Sequence, residues 1–214
     1  MQIIAVKPTL RPNRVNLVFD NQKYLPFFID DFVSLGLKKN KPLSAEKLAE
    51  ICRQSVLFLA KDYCFRQISI SPKVEKTLTP KLKVYLQKIK QKYYYPVDID
   101  QNEIIGFCLS YLNSQNLLDE TKFVNYYLKR YPRKSQNELL FRLRQLGVSV
   151  SAVNDQGEPN SDRQKIIKIL QKKKITTEIM RNYQEKNRLY SSLYRKGFSL
   201  SQVKSVIDEY LISG

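Results

Sequence analysis

The sequence predicts a mainly α-helical protein, in which tandem three-helix repeats of helix-turn-helix character form an elongated array behind a small N-terminal β-hairpin or meander. Three observations predict this fold class. Strand-like alternation is confined to the residues before position 30. Amphipathic helical periodicity follows along the rest of the chain. One segment then occurs twice, and such self-similarity is typical of helical repeats.

The repeated segment is Leu143–Val153, LRQLGVSVSAV, and its second copy is Leu193–Val203, LYRKGFSLSQV. Leu, Gly, Ser, Ser and Val coincide in the same register. Gly147 and Gly197 each follow an amphipathic run, and glycine tolerates the left-handed conformation that closes a helix. The serine two residues later is a good N-cap for a new helix, so both glycines are predicted to be structural turns. A weaker third copy is expected at Ile89–Ile99, with tyrosine in the place of the glycine.

The N-terminal module, residues 1–43, is predicted to be β-rich. Gln2–Arg11 and Arg14–Ile29 alternate apolar and polar residues, and a polar interruption within the second run indicates a hairpin or a three-stranded meander. A short helix is expected at Asp31–Leu37, where Gly36 stops it. Two or three strands alone are marginally stable, so we expect this module to pack on the helices that follow.

The first repeat is assigned to residues 44–116. Its first helix is predicted to run from Ser44 to about Phe65, because apolar residues recur there at helical spacing. Thr79 and Pro80 then form an N-cap and a first helical position, since proline has no N–H to leave unsatisfied at that point. This pair predicts the start of the second helix.

The second repeat is assigned to residues 117–160 and the third to residues 161–214. Asp119 is predicted to cap the first helix of the second repeat, and Ser135 and Glu138 form a capping box at the start of the next. The segment NDQGEPN then has the composition of a loop. The remaining predicted helices are Asp100–Tyr111, a basic helix at Asp162–Lys174, a run at Arg181–Lys196 and a closing helix after Ser199.

The charge balance points to a polyanionic partner. The formal net charge is +17, from 37 Lys and Arg against 20 Asp and Glu, which favours nucleic acid or an acidic protein surface. A solvated surface that only keeps the protein soluble is the alternative. Between Ser161 and Gly197 there are eleven basic residues and three acids, and stacked helices would align such residues on one face. The predicted contacts are Lys129, Arg130, Arg133, Lys134, Arg142, Arg144, Lys172, Lys173, Lys174, Arg188, Arg195 and Lys196.

The sequence offers little for catalysis. It contains no histidine, which removes the commonest general base and the commonest partner of cysteine in zinc sites. Cys52, Cys64 and Cys108 are not in CxxC spacing, so we expect buried, reduced thiols. No GxxxxGK[ST] loop is present. Asp30 and Asp31 fit a solvated turn, with a metal-dependent nuclease pair as the alternative. We therefore predict no catalytic residue, no metal, no cofactor and no enzymatic activity.

The cellular location is expected to be the cytoplasm. No stretch reaches the roughly 18 uninterrupted apolar residues of a membrane span. Met1 is followed at once by strand-like sequence rather than by an apolar signal segment. We therefore expect a monomer without a membrane partner.

Several of these features together resemble the RecX family, regulators of the recombinase RecA. The resemblance is carried by the strand-rich N-terminal module, by Leu117, Leu118 and Asp119 followed by Phe123, and above all by Arg195–Ser199, RKGFS. It covers essentially the whole chain in order and length. The family is built from tandem three-helix repeats in a curved, elongated molecule, and the resemblance implies the same architecture here.

The resemblance also implies a function. Family members lodge in the helical groove of the RecA filament on DNA, bridge neighbouring protomers, and inhibit ATP hydrolysis and strand exchange. By this resemblance the twelve basic residues named above contact RecA or DNA, which is single- or double-stranded and bound directly or within the filament. The alternative is a stand-alone, basic, helix-turn-helix-like DNA-binding protein, because three-helix units also read grooves. A structural adaptor for another acidic protein is a third possibility.

Overall fold

The computed structural model describes residues 1–149 and 162–212. Within these ranges the fold is mainly helical, with a small antiparallel sheet at the N-terminus, as the sequence predicts. The chain divides into two compact units, Met1–Leu118 and Asp119–Gly214, called unit 1 and unit 2 below. The finer division into an N-terminal module and three repeats stays a prediction. The loop expected at residues 154–160 lies outside the described residues.

The sheet of unit 1 has three strands, β1 (Ile3–Pro8), β2 (Arg14–Phe19) and β3 (Tyr24–Phe28), in the order β1-β2-β3. Both pairs are antiparallel, and Leu17 in the central strand stands opposite Val6 and Leu25. The alternation predicted for β2 places its apolar side chains against the core. A short helix, α1 (Ile29–Ser34), follows, two residues earlier than the predicted start at Asp31. Gly36, whose φ is +60°, lies in the turn after it.

The long helix α2 (Ala45–Ile70) carries both cores of unit 1. Ser44 caps it, because its Oγ accepts the Lys47 N–H at 3.2 Å. The first half of α2 packs on the sheet through Ile51 and Cys52. At the centre, the buried Ser55 hydroxyl donates to the Pro26 carbonyl at 2.6 Å and so joins helix to sheet. The second half packs against α3 (Glu75–Lys92) and α4 (Gln101–Ser114).

Helix α3 begins earlier than the sequence predicts. Thr79 is not its N-cap, and Pro80 lies inside the helix rather than at its first position. The reason is burial, because Leu78 is fully buried and extends the apolar stripe of Leu82 and Leu86 by one turn. This gain offsets the backbone hydrogen bond that proline cannot donate.

The weak third copy of the repeated segment does not form the expected turn. Tyr93 ends α3 in extended conformation, with φ −113°, because a residue with a Cβ is costly in the left-handed region. The left-handed closure falls instead after α4, at Asn116, whose φ is 51°. Asparagine tolerates this conformation better than most residues.

Unit 2 contains the remaining described helices. Asp119 caps the first of them as predicted, since its Oδ1 accepts the Lys122 N–H at 2.9 Å. The hydrophobic core of the last part of the chain is built on buried residues such as Leu170, Leu193 and Phe198. The helices are α5 (Glu120–Arg130), α6 (Gln136–Gln145), α7 (Asp162–Lys172), α8 (Thr177–Arg181), α9 (Tyr183–Tyr194) and α10 (Leu200–Ile212).

The two predicted glycine turns are confirmed. Gly147 has φ +82° and Gly197 has φ +87°. In both turns, the glycine N–H donates to the carbonyl three residues earlier, and the N–H of the next residue donates to the carbonyl five residues before it. The four distances are 2.8–3.4 Å. This double bond pattern is the Schellman motif, in which the glycine takes the left-handed position. The next residue, Val148 or Phe198, is buried beneath each turn. The internal repeat therefore reproduces one local structure.

The three cysteines are free and buried, as predicted. Burial raises the pKa of the Cys52 thiol to about 11, so this group is neutral near pH 7. Of the helices in the described ranges, none combines the length and the apolar composition that crossing a membrane requires. Over the same ranges, no group of three or more His, Cys, Asp or Glu side chains could hold a metal ion.

Candidate polyanion-binding surface

Within unit 2, the loop between α5 and α6 lies against the turn between α9 and α10. The Ser135 N–H donates to the Lys196 carbonyl at 2.9 Å. Beside this bond, the Lys134 ammonium donates to the Arg195 carbonyl at 3.3 Å. The basic residues before α6 and those before α10 are some sixty positions apart in the sequence. These hydrogen bonds therefore bring the two segments into direct contact.

Ser135 organises this junction. Its side chain is fully buried, and its Oγ accepts the Glu138 N–H at 3.1 Å, which caps α6 as predicted. The second half of the predicted capping box does not form. The Ser135 N–H is occupied by Lys196, so the Glu138 carboxylate bonds instead to Arg142 Nε at 2.6 Å and to Lys134 Nζ at 3.3 Å.

Gly197 is required at this junction for a second reason besides its positive φ. A Cβ built on Gly197 would lie 2.5 Å from the Cβ of Glu138 and 2.6 Å from the Oγ of Ser135. Real Cβ atoms do not approach neighbours so closely, because the atoms would overlap. The sequence indicates the glycine turn but holds no signal for this contact, because the contact depends on a helix that is distant in sequence.

Helix α7 joins the same junction through its first residue. One oxygen of Asp162, Oδ1, accepts the Gln136 N–H at 2.9 Å, at the start of α6. The same oxygen accepts from the Lys165 ammonium at 3.3 Å. Lys165 is only 7% exposed, and such a buried charge needs a partner of this kind. The face of α7 that carries its lysines is thereby placed beside the loop between α5 and α6.

Two adjoining grooves result, which we call the basic grooves. The first has a volume of about 530 Å³ and the second about 440 Å³, and both include Pro132, Arg133 and Lys196. Among the described residues, no carboxylate lines either groove. The nine basic side chains that line them are Arg130, Arg133, Lys134, Arg195 and Lys196 in the first, with Lys165, Lys168, Lys172 and Lys173 added by the second.

Lys196 lies at the centre of this charge. Burial lowers its pKa from the ordinary 10.5, and the nearby cations, first Lys173 and then Lys134, lower it further. Its ammonium donates to the carbonyl and the hydroxyl of Ser192, each at 3.4 Å. Over residues 1–149 and 162–212 it pairs with no carboxylate. An anion that entered the grooves would therefore find a positive charge that the protein itself does not neutralise.

The grooves collect seven of the twelve predicted contact residues. Of the other five, Arg142 and Arg188 are engaged in ion pairs at 2.6 Å, with Glu138 and Glu185 respectively. Lys174 follows α7 with φ 51°, so it closes that helix in left-handed conformation. The remaining two lie on helices but outside both grooves: Lys129 on α5 and Arg144 on α6.

Two groove residues, Lys165 and Lys168, were absent from the predicted contacts. With Lys172 they follow the spacing i, i+3, i+7, which places all three on one face of α7. This spacing was a usable signal. The nearly buried state of Lys165 was not, because the sequence does not reveal that Asp162 would be drawn toward α6.

Comparison with known proteins identifies related sequences along the chain. The sequence model of a family described as "RecX, third three-helix domain" matches residues 161–207. A "Regulatory protein RecX" from Clostridium tetani (strain Massachusetts / E88) is 24% identical over 208 residues, which cover 94% of this chain and 89% of that protein. The protein of the same name from Clostridium botulinum (strain Alaska E43 / Type E3) is 23% identical and covers 92% of this chain and 89% of its own.

Two solved structures share the fold. One, described as "Crystal structure of regulatory protein RecX", aligns with a TM-score of 0.58 and 21% identity, over 97% of this chain and 98% of that chain. The other, "Crystal structure of RecX from Lactobacillus salivarius", aligns with a TM-score of 0.51 and 15% identity, over 72% of this chain and 96% of that chain.

Proposed function

The chain belongs to the RecX family, and we propose on this basis that it is a non-catalytic regulator of the recombinase RecA. The observation that carries the proposal is the similarity to proteins named "Regulatory protein RecX" over more than nine-tenths of the chain. In this proposal the protein binds in the groove of the RecA filament on DNA and inhibits ATP hydrolysis and strand exchange. Its place of action is then the cytoplasm.

The basic grooves are proposed to make the electrostatic contacts. Nine cationic side chains without a lining carboxylate suit the phosphates of DNA or the carboxylates of an acidic RecA surface. Lys134 and Lys165 are already paired with Glu138 and Asp162, whereas the other seven pair with no carboxylate among the described residues. Of these seven, Lys172, Lys173 and Lys196 are the candidates that we would test first. Arg142 and Arg188 are weaker ones, because binding an anion would compete with their present partners.

The test is DNA-stimulated ATP hydrolysis by RecA, with the protein titrated below one copy per recombinase. We expect inhibition at these low ratios. The double variant Lys172→Gln, Lys173→Gln should weaken it about tenfold or more. A matched control is Lys186→Gln, Lys204→Gln, which removes the same charge from exposed positions of unit 2 outside both grooves and should inhibit like the wild type. Equal inhibition by both variants would remove the grooves from the proposal.

A stand-alone DNA-binding protein is the second candidate, because the unpaired basic side chains of both grooves would also meet phosphates without RecA. Salt dependence separates the two. A DNA binder loses about 0.9 log units of affinity per log unit of salt for each neutralised phosphate. Steep salt dependence without RecA, together with ATPase inhibition only when the protein coats the DNA, would favour this candidate over filament regulation.

A further inference from the structure

Unit 1 contains a groove of opposite chemical character to the basic grooves. Its volume is about 390 Å³, and we call it the aromatic groove. Three phenylalanines and a leucine form most of its walls, and two aspartates, a glutamine and one lysine supply the polar groups. All of them belong to unit 1: Phe28, Asp31, Gln54, Leu57, Phe58, Lys61, Asp62 and Phe65.

The rings of this groove are arranged as an open surface. Phe28 and Phe58 stack with their centroids 5.5 Å apart. Phe65 is 42% exposed and meets Tyr111 edge to face at 6.2 Å. An exposed phenylalanine beside two stacked ones is unfavourable in water and favourable under a partner.

The protein's own cations already lie on one ring of the groove and on two rings beside it. The Arg14 guanidinium is 5.8 Å from the centre of the Phe58 ring. The Lys61 ammonium is 4.9 Å from the Phe107 ring and 4.6 Å from the Tyr111 ring. Aromatic faces attract cations through their quadrupole, with arginine the more frequent partner. This surface therefore holds cations by their contact with rings.

The two aspartates of the aromatic groove differ in whether a cation pairs with them. Asp62 is occupied, because it pairs with Arg11 at 3.2 Å and with Arg66 at 3.0 Å. Asp31 is half-buried, and burial raises its pKa, against a smaller lowering by the charge of Lys61. Its carboxylate pairs with no cation in the part of the chain that the structure describes. A partly desolvated carboxylate beside aromatic rings lacks the cation that such surroundings suit.

We infer that the aromatic groove binds an arginine or lysine side chain of a partner protein, with Asp31 as its counter-ion and Phe28, Phe58 and Phe65 around its stem. The inference deepens the proposed function, on which it rests only for the identity of that partner as RecA. Anionic groups of the recombinase would then bind the basic grooves of unit 2, and a cationic side chain of the recombinase would bind the aromatic groove of unit 1. Such pairing fixes orientation as well as affinity.

The first experiment needs no recombinase. N-acetyl-arginine amide is titrated into the full chain while backbone amide shifts are followed by NMR. We expect saturable shifts around Asp31 and Phe65, absent in Asp31→Asn and retained in Asp30→Asn. The neighbour Asp30 is exposed, carries the same charge and does not line the groove, so it is a matched control. No shifts in the groove, or equal loss in both variants, would overturn the inference.

The second experiment measures binding to RecA filaments. Asp31→Asn should weaken binding about ten- to a hundredfold, the usual loss for a hydrogen bond between charged groups, while Asp30→Asn binds like wild type. Lys61→Gln should tighten binding, since it removes a like charge from the groove; weaker binding would mean an anionic occupant and would contradict the inference. If wild type binds arginine amide but not RecA, the proposed function fails and the groove remains a cation site for another protein.

Discussion

Gly197 lies directly against Glu138, so closely that a Cβ on the glycine would stand 2.5 Å from the Cβ of the glutamate. The contact joins the turn before α10 to the first turn of α6. It is made possible by the Ser135 N–H, which bonds to the Lys196 carbonyl and draws the two segments together. The same approach brings the basic residues of both segments into one surface.

Substitution of Gly197 tests this contact. Gly197→Ala should destabilise unit 2 through the left-handed backbone, at about 1–2 kcal/mol, and through overlap with Glu138 and Ser135, at about 1–3 kcal/mol more. The β-branched Gly197→Val should cost still more. Gly36→Ala is the control, because Gly36 has φ +60° but no atom within 4 Å of the added Cβ.

Native-state hydrogen exchange reports the unfolding free energy of each unit separately, so it can compare the two glycine variants. The loss in unit 2 from Gly197→Ala should exceed the loss in unit 1 from Gly36→Ala. Equal losses would mean that only the backbone conformation matters at Gly197 and that the distant contact yields without cost.

Lys196 should oppose folding while it favours binding. Its pKa is lowered in the native state, so the native protein binds this proton less tightly than the unfolded chain does. The charge therefore costs stability at pH 7, and that cost disappears as pH rises through the lowered pKa toward 10.5. Lys196→Gln should stabilise the protein by roughly 0.5–1 kcal/mol.

The same variant should bind DNA or RecA filaments more weakly, by about fivefold to tenfold. Lys186→Gln removes an exposed charge from α9 outside both grooves and should change neither stability nor binding. Thermal unfolding and filament binding, measured on the same samples, give both results. Lower stability together with unchanged binding in Lys196→Gln would contradict the placement of Lys196 at the centre of the charge.

Glu138 should contribute to the loss of stability in acid. Arg142, and to a lesser extent Lys134, hold the pKa of this carboxyl below its ordinary 4.5. The resulting stabilisation is complete above about pH 4.5, and it is lost as the pH falls through the lower pKa of the native state. Its size should be less than about 1 kcal/mol, because the pair is partly solvated.

Urea denaturation from pH 7 down to about pH 3 measures this contribution. Glu138→Gln should be less stable than wild type at pH 7, and the difference should shrink as the pH falls. Arg142→Gln, which removes the largest cause of the lowered pKa, should show the same convergence. A difference that stays constant with pH would assign the effect of Glu138 to packing instead of charge.

Pro80 should reduce the stability of α3. It is exposed and lies inside the helix, where its ring removes one hydrogen bond and crowds the carbonyl of the preceding turn. Pro80→Ala should therefore stabilise unit 1 by about 1–3 kcal/mol. Lys81→Ala, at the next exposed position, is the control and should change stability by less than about 0.5 kcal/mol. Hydrogen exchange in α3 gives the comparison, and a less stable Pro80→Ala would show that the ring packs favourably.

The sequence predicted the features that depend on neighbours within a few residues. Asp119 and Ser135 cap the helices that their positions indicated, because an N-cap acts on N–H groups two or three residues away. Gly147 and Gly197 take the left-handed conformation for an equally local reason. The predicted start of α3 was wrong. The local signal of Thr79 and Pro80 was outweighed by the burial of Leu78, which depends on contacts with other helices.

By itself, then, the sequence determined the fold class, the N-caps at Asp119 and Ser135, the glycine turns and an excess of positive charge. Only the tertiary structure decided which charges act together: it brought Lys196 beside Arg133 and Lys173, and left Arg142 and Arg188 in ion pairs. The physical reason is the separation in sequence between the groups that interact. A cap or turn is fixed by a few adjacent backbone groups, whereas an electrostatic surface depends on distances between segments that only packing brings together.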